Sequence, residues 1–401
     1  VLSTTFIIAI GIASFLTYSP RPIIATATAW GGPDFTYCCL FLKGWWDGTI
    51  TNPYNYDQQR QLLEQVYGYQ GTIIMPFPWS PISALLLYPL VSIKDTALAV
   101  SVWNLVTLSI FLGCVIAWIR QAGCNRYELG IRTLIGAMLA TSTFTAQTLS
   151  LGQTSLLGAG GIGALLLATA TQNTCASLLR AVTSTALMSL KPTYLLLALG
   201  TLIARRQWRV LFLCSTVLAT LAILTVAIFT PGVCADWLQQ VKFHSNPIDL
   251  RYRSIGTEYG YQQSAVVRNL LTLWLPSDIA HRVCSTAFLV CFLAITARSL
   301  IKRKTREPNS SFCLLATFLL VIPYLGFHDE LLLFPAIVSG WQDTNSFNRR
   351  YRWVAIATIA ILCYAPLLPL TRLATKFLLL VALYQLSLDT CDKEIAHEVH
   401  S

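Results

Sequence analysis

A single aspartate, a lone lysine and a run of three titratable residues are the groups in this chain whose types and settings could do chemistry. Asp34 stands in Gly31-Gly-Pro-Asp-Phe35, directly after the first apolar run. A carboxylate held there could serve as a general base towards a hydroxyl, given hydrogen-bond reach. Alternatively it caps a short helix over Phe35 to Leu42, a role that Asp fills well after Gly-Gly-Pro. Lys191 lies between ALMSL and PTYLLLAL, in the middle of an apolar run. A charge buried so deep costs at least ~2.5 kcal/mol on insertion scales, which marks such a residue as a functional candidate, a cation for a phosphate. The bland alternative is a side chain that snorkels to an interface. His328-Asp329-Glu330 concentrates three titratable groups in a chain that has few. It reads as phosphate or sugar contacts, or else as a polar turn between helices. A metal is the weaker option, because no HExxH or His-x-x-x-His spacing accompanies it. Arg251, Arg253 and Arg268 either bind lipid phosphates or pair with Asp249 and Glu258.

The elements that must position these groups follow from composition. Of 401 residues 55% are apolar and 11% charged, whereas soluble domains carry about 25% charged residues. Apolar runs recur along the whole length, each long enough to cross roughly 30 Å of hydrocarbon at ~1.5 Å per residue. The reading is an all-helical, polytopic integral membrane protein of about ten or eleven spans, hairpin arms included. A soluble enzyme, a disulfide scaffold and a disordered tail are excluded, and the unbroken runs disfavour an outer-membrane barrel. The net charge of +10 therefore speaks of topology and not of nucleic acid.

The spans arrange as one membrane domain over residues 1–401. Residues 1–18 read as a first spanning helix and not as a cleaved signal peptide, since they lack a basic n-region and a clear cleavage site. A large extracytoplasmic loop over 19–80 follows, then a bundle over 81–230 with a hairpin at Lys191-Pro192. A second outer loop spans 231–278, further helices fill 279–388, and 389–401 form a cytoplasmic tail. Basic clusters at Arg120/Arg126/Arg132, Arg205/Arg206/Arg209, Arg298/Lys302/Arg303/Lys304/Arg306 and Arg349/Arg350/Arg352 face the cytoplasm by the positive-inside rule. They do so together only if 179–204 is a hairpin bent at the proline, the apolar piece 331–338 returns towards the inside, and the apolar piece 81–91 dips in without crossing. Polar groups from five segments then converge on the outer face, around a cavity that satisfies the broken backbone.

Several other features have plainer readings. The twelve cysteines lack a CxxC pair and mostly sit in apolar runs as small packing residues. A disulfide among Cys38, Cys39 and Cys234 is weakly supported. Gly158-Ala-Gly160-Gly161-Ile-Gly163 matches GxGxxG but follows no strand, so it is a packing face and not a nucleotide site. No Asp-x-Asp occurs, which leaves a metal-chelated nucleotide sugar unsupported. Trp45, Trp46, Tyr54 and Tyr56 offer either faces on which sugars stack or an interfacial aromatic belt.

Read in order, Asp34-Phe35, Phe77-Pro-Trp-Ser-Pro81, Leu85-Leu-Leu-Tyr-Pro89-Leu, Leu151-Gly-Gln153-Thr, Leu190-Lys191-Pro192, Gln263-Ser264 and His328-Asp329-Glu-Leu-Leu-Leu resemble glycosyltransferase family 87. The resemblance extends to about residue 340. It implies a GT-C-like helical bundle that transfers a sugar, typically mannose, from a polyprenyl-phosphate donor to a lipid or glycan acceptor on the outer face, with inversion. By that resemblance Asp34 is the general base. Lys191, Arg268 and His328 would stabilise the departing phosphate, while Gln153, Asp329 and Gln263 would be polar sugar contacts. No cofactor or nucleic acid is implied, and whether a metal assists is left open by the resemblance. Trp79 departs from the family's aromatic-Pro-Pro pattern, which bears on the acceptor side. The rival reading is a transporter or flippase of lipid-linked molecules; it lacks the expected intramembrane acids and repeat symmetry.

Overall fold

The computed structural model describes residues 2–18, 34–68, 79–121, 126–170, 175–229, 232–244, 266–301, 308–322, 327–341, 349–365 and 373–386. Among them every regular element is a helix. Local chemistry explains the boundaries. Helix α1 covers Leu2–Tyr18 and α2 Asp34–Trp46. Asn55 starts α3 (Tyr56–Tyr67) by accepting from the amides of Asp57 and Gln58 at 3.0 and 3.1 Å, and Gly68 ends it in the left-handed conformation. Two single-turn helices, α4 (Ser83–Leu86) and α5 (Tyr88–Val91), lead to Asp95, which caps α6 (Thr96–Ile119).

Helices α7 (Arg126–Ala140) and α8 (Thr143–Leu151) meet at a 42° bend. The sequence there is Thr-Ser-Thr, and its hydroxyls take up the carbonyls that the break releases. Ser142 Oγ and Thr145 Oγ1 both donate to Leu139 O, and Ser14 Oγ of α1 donates to Ala140 O at 2.9 Å. Hydroxyl side chains satisfy backbone that water cannot reach.

Helix α9 (Ser155–Ala170) is the axis of the bundle, buried along nearly its whole length. It packs on α6, α10 (Cys175–Met188) and α11 (Pro192–Ala204). The glycine run makes this possible. A Cβ at Gly160 would lie 2.9 Å from the Phe111 Cα of α6, and one at Gly158 would lie 2.6 Å from the Tyr194 ring of α11. This is the packing face expected of the run. Beyond it come α12 (Trp208–Ile228), α13 (Gly232–His244), α14 (Val266–Leu271), α15 (Ser277–Ile301) and α16 (Pro308–Val321). A 3-10 turn over Phe327–Leu332 continues into α17 (Leu333–Gly340), followed by α18 (Arg349–Tyr364) and α19 (Leu373–Leu386).

Among the described residues three helices, Thr96–Ile119, Trp208–Ile228 and Ile279–Arg298, are long and apolar enough to cross a membrane alone, and the bent α7–α8 pair, counted as one span, makes a fourth. This is fewer than the ten or eleven spans expected. The other apolar helices among the described residues run 10–17 residues. The region 19–80, expected as loop, contains α2 and α3, and 231–278 contains α13 and α14. Apolar side chains stand outward around the bundle, Phe212 at 75% and Ile223 at 68% exposure among them.

The bundle has two chemically different ends. Helix α9 runs from Ser155 to Ala170, α10 returns antiparallel beside it, and after the break at 189–191 α11 runs back in the direction of α9, from Tyr194 beside Gly158 to Arg205 beside Leu166. At the Ala170 end Arg205 donates to Leu166 O at 2.7 Å and to Thr169 Oγ1 at 2.9 Å. There too, where the segment through α17 ends, Glu128 bridges Arg132 at 3.2 Å and Arg352 at 2.7 Å and accepts from the Trp341 indole. Arg132 also donates to Trp118 O at 2.8 Å. The arginines of three separate basic clusters thus gather at one end.

Candidate functional site

The opposite end holds most of the chemistry. Helix α10 stops at Met188 and α11 begins at Pro192, with Lys191 extended between them at φ −123° and ψ 116°. Proline explains the stop: it has no N–H to offer, and it disfavours helical backbone in the residue before it. The freed carbonyls find a donor from elsewhere in the chain. Ser80 donates through its amide to Leu190 O at 3.2 Å and through its hydroxyl to Ser189 O at 2.6 Å. Tyr54 in turn donates its hydroxyl to Trp79 O at 2.8 Å. The Trp79-Ser80 segment is thereby tied across the tip of the hairpin.

Lys191 makes an ion pair with Asp329 of the 3-10 turn, Nζ to Oδ1 at 2.9 Å. The same carboxylate oxygen accepts from Ser155 Oγ at 3.0 Å and from the Tyr194 hydroxyl. Lys191 Nζ also reaches the Tyr194 oxygen at 3.3 Å and lies 4.6 Å from the centre of its ring. Three segments therefore meet at one point: the start of α9, the α10–α11 break, and the turn after α16. Asp329 supplies the negative charge opposite Lys191. An ammonium has three donors; two of them face Asp329 and Tyr194, and the Lys191 side chain keeps 24% of its surface exposed.

Asp34 is the first residue of α2, partly exposed, where the helix N-terminus favours a negative group. Its neighbour Phe35 sets the helix against the rest of this end. The Phe35 ring stacks on Trp103 at 4.7 Å and 2°, and lies 6.1 Å from the Trp79 ring. Gly152, which ends α8 at φ +67°, comes so close that a Cβ there would stand 2.8 Å from Phe35 Cβ. Its carbonyl accepts from the Trp103 indole at 2.9 Å. Gln153 follows, half-buried, and two residues later Ser155 touches Asp329. The route from Asp34 to Lys191 thus passes through Phe35, Gly152, Gln153, Ser155 and Asp329.

The other expected site residues fare differently. Arg268 is buried on the short helix α14, which packs chiefly on α15 and α16. His328 belongs to the 3-10 turn by its backbone, but its side chain lies outside the described residues, as do Gln263, Arg251 and Arg253. Of the aromatic residues proposed for sugar or interface, Trp45 and Tyr54 are buried in packing and Trp46 and Tyr56 are half-buried. Trp45 stacks on Phe229 at 3.6 Å, Trp46 donates to Ala84 O, and Tyr54 is buried. Tyr56 is half-buried at the start of α3. Cys38 and Cys39 are buried thiols and Cys234 is a free one, so no disulfide joins them. Among the described residues no group of three His, Cys, Asp or Glu is placed to hold a metal.

Sequence reasoning missed Tyr194, Ser155 and Lys376. Tyr194 stands three residues after Lys191 and so shares its side of the helix, a signal that was legible. Lys376 is a lone lysine in an apolar run, the very pattern that singled out Lys191. It pairs with Glu330 at 2.6 Å, and both side chains are fully buried.

No curated protein and no solved structure matches the chain. The model of glycosyltransferase family 87 matches residues 77–323, more than half of the sequence, and takes in Trp79, Gly152, Gln153, Ser155, Lys191 and Tyr194. With that match the chain belongs to glycosyltransferase family 87.

Proposed function

We propose that this protein transfers a sugar, mannose in the first instance, from a polyprenyl-phosphate donor to a hydroxyl of a lipid or glycan acceptor, with inversion. The observation that carries the reading is the cluster at the α10–α11 break, where Lys191 is held by Asp329, Tyr194 and Ser155 at the end of the bundle to which Phe35 and Gly152 anchor Asp34.

The mechanism is a single displacement. The acceptor oxygen attacks the anomeric carbon, the bond from that carbon to the phosphate oxygen breaks, and the electron pair leaves with the polyprenyl phosphate. Asp34 takes the acceptor's proton as the new bond forms. The phosphate gains one negative charge in the process, and the remaining Lys191 N–H is available to stabilise it. Because Asp329 and Tyr194 already orient the ammonium, little reorganisation accompanies the reaction. Gln153 is suited to a polar contact with the sugar, and Arg268 and His328 are further phosphate candidates.

The protein is proposed to be multi-pass, with this site on the extracytoplasmic face. The outward apolar side chains support a hydrocarbon surrounding. Arg132, Arg205 and Arg352 at the opposite end support a cytoplasmic assignment for that end.

The test is transfer of labelled mannose from polyprenyl-phosphate mannose in membranes that contain the protein and native lipid extract. Wild type is expected to transfer, and a folded Asp34→Asn variant is expected to lose about two to four orders of magnitude in rate, the usual scale of general-base catalysis. Equal rates in both would remove Asp34 as base and leave it a helix-terminal residue. Translocation of the donor without transfer would favour the flippase.

A further inference from the structure

Two adjacent acidic residues in the turn after α16 are each paired with a lysine from a different helix. Asp329 pairs with Lys191 of the α10–α11 break, and Glu330 pairs with Lys376 of α19. A 3-10 helix has three residues per turn, so neighbouring side chains point about 120° apart. The turn is therefore gripped from two sides. Its own hydrogen bonds hold it poorly, since 3-10 geometry is strained and short. Leu331, Leu332 and Phe334 are fully buried and anchor its depth. Apolar packing is non-directional, and the charged anchors on the two sides of the turn add direction to it.

The Glu330–Lys376 pair has no exposure on either side chain. A buried ion pair is weak evidence of stabilisation, because apolar residues of similar volume often hold a fold as well or better. What such a pair supplies is a definite geometry. Lys376 lies beyond the 77–323 segment that matches the family, and α19 contributes no other charged residue to this contact.

We propose that Lys376 is a positioning residue: through Glu330 it sets the rotation of the 3-10 turn and so delivers Asp329 to Lys191. The inference rests on the proposed function for its consequence in catalysis, but not for its geometry. Loss of the pair lets Asp329 shift against the hold of Ser155 and Tyr194, and Lys191 is left with one of its two orienting partners displaced. A displacement of about 1 Å in such a site lowers the rate roughly a hundredfold.

The experiment uses the full-length protein with both charges removed at once, Glu330→Gln with Lys376→Met, so that no charge is left buried alone. Two readouts are taken on folded, monodisperse protein: the rate at which an amine-reactive reagent labels Lys191, followed by mass spectrometry, and kcat and KM for polyprenyl-phosphate mannose. The expected result is a melting temperature close to wild type, faster labelling of Lys191 and a fall in kcat of roughly a hundredfold. Unchanged labelling in the folded double variant overturns the proposal, whatever the transfer rate. Changed labelling in a protein whose wild type transfers nothing keeps the positioning role and removes only the proposed reaction. Should the double variant not fold, Lys376→Arg carries the same reading. It keeps the charge but displaces the contact, so altered Lys191 labelling supports the proposal and unaltered labelling overturns it.

Discussion

Gly152→Ala tests whether the contact beneath Phe35 holds the N-terminus of α2 in place. Gly152 has φ +67°, and a Cβ added there would meet Phe35 Cβ at 2.8 Å, with the Phe35 backbone N at 3.5 Å. Two costs follow. Left-handed backbone costs an alanine about 1–2 kcal/mol. The added methyl also stands about 1 Å inside the ordinary 3.5–4.0 Å separation of carbon atoms, and Phe35 can yield little because its ring is stacked on Trp103 and packs at a tilt on Trp79. The first turn of α2 must then shift by a sizeable part of that overlap and carry Asp34 with it. The expected outcome is a transfer rate lower by roughly a hundredfold, on the scale of a 1 Å misplacement. Gly68→Ala is the control, since Gly68 has φ +64° with nothing within 4 Å of an added Cβ. It shares the backbone cost of about 1–2 kcal/mol without the clash. Initial transfer rates and thermal melts of both variants in detergent separate the two effects. If Gly152→Ala retained the rate of Gly68→Ala while melting at the same temperature, the contact would not position Asp34, and the proposed geometry of the base would fail.

Two further outcomes are expected. Lys191→Met leaves Asp329 buried without its cation, which should destabilise the protein by about 3 kcal/mol, the lower end for a broken buried pair because Lys191 keeps 24% exposure. Transfer should be abolished, and Lys191→Arg should restore stability better than rate; a Met variant with wild-type kcat would exclude Lys191 from phosphate stabilisation. Glu128→Gln leaves Arg132 and Arg352 facing each other at the far end, with an expected cost of about 3–5 kcal/mol. Transfer per folded molecule should not change, and a matched loss of kcat would mean that the two ends of the bundle are coupled.

Much of this site could be read from the residues in order. The ordered motifs led to family 87, and Lys191 stood out because a lone lysine in an apolar run has a cost that something must offset. The Pro192 break and the small-residue face of α9 are local properties of their own segments. Asp34 at the head of α2 was legible for the same reason. The burial of Trp45 and Tyr54 was not legible, because an aromatic residue has the same composition signal whether it meets a sugar, a lipid or Phe229. Where each apolar run breaks was not legible, because apolar residues follow one another in the same way through a straight helix and through a bend. At 141–142 the chain turns where hydroxyls replace the missing backbone bonds, and nothing in the apolar content on either side marks the place.

Composition and local pattern by themselves determined an apolar helical chain, its family, and a lysine and an aspartate worth testing, since hydrophobicity, helix breaks and caps depend on neighbours a few residues away. The partners of those groups were decided only by the tertiary structure. Lys191 and Asp329 are 138 residues apart, Ser155 and Asp329 174, and Glu128 and Arg352 224. Nothing in a lysine's own surroundings tells whether its charge will be met by a carboxylate, a phosphate or water. That depends on which helices pack together, and here the packing of α9, α11 and α19 around one 3-10 turn sets Asp329 on Lys191 and Glu330 on Lys376.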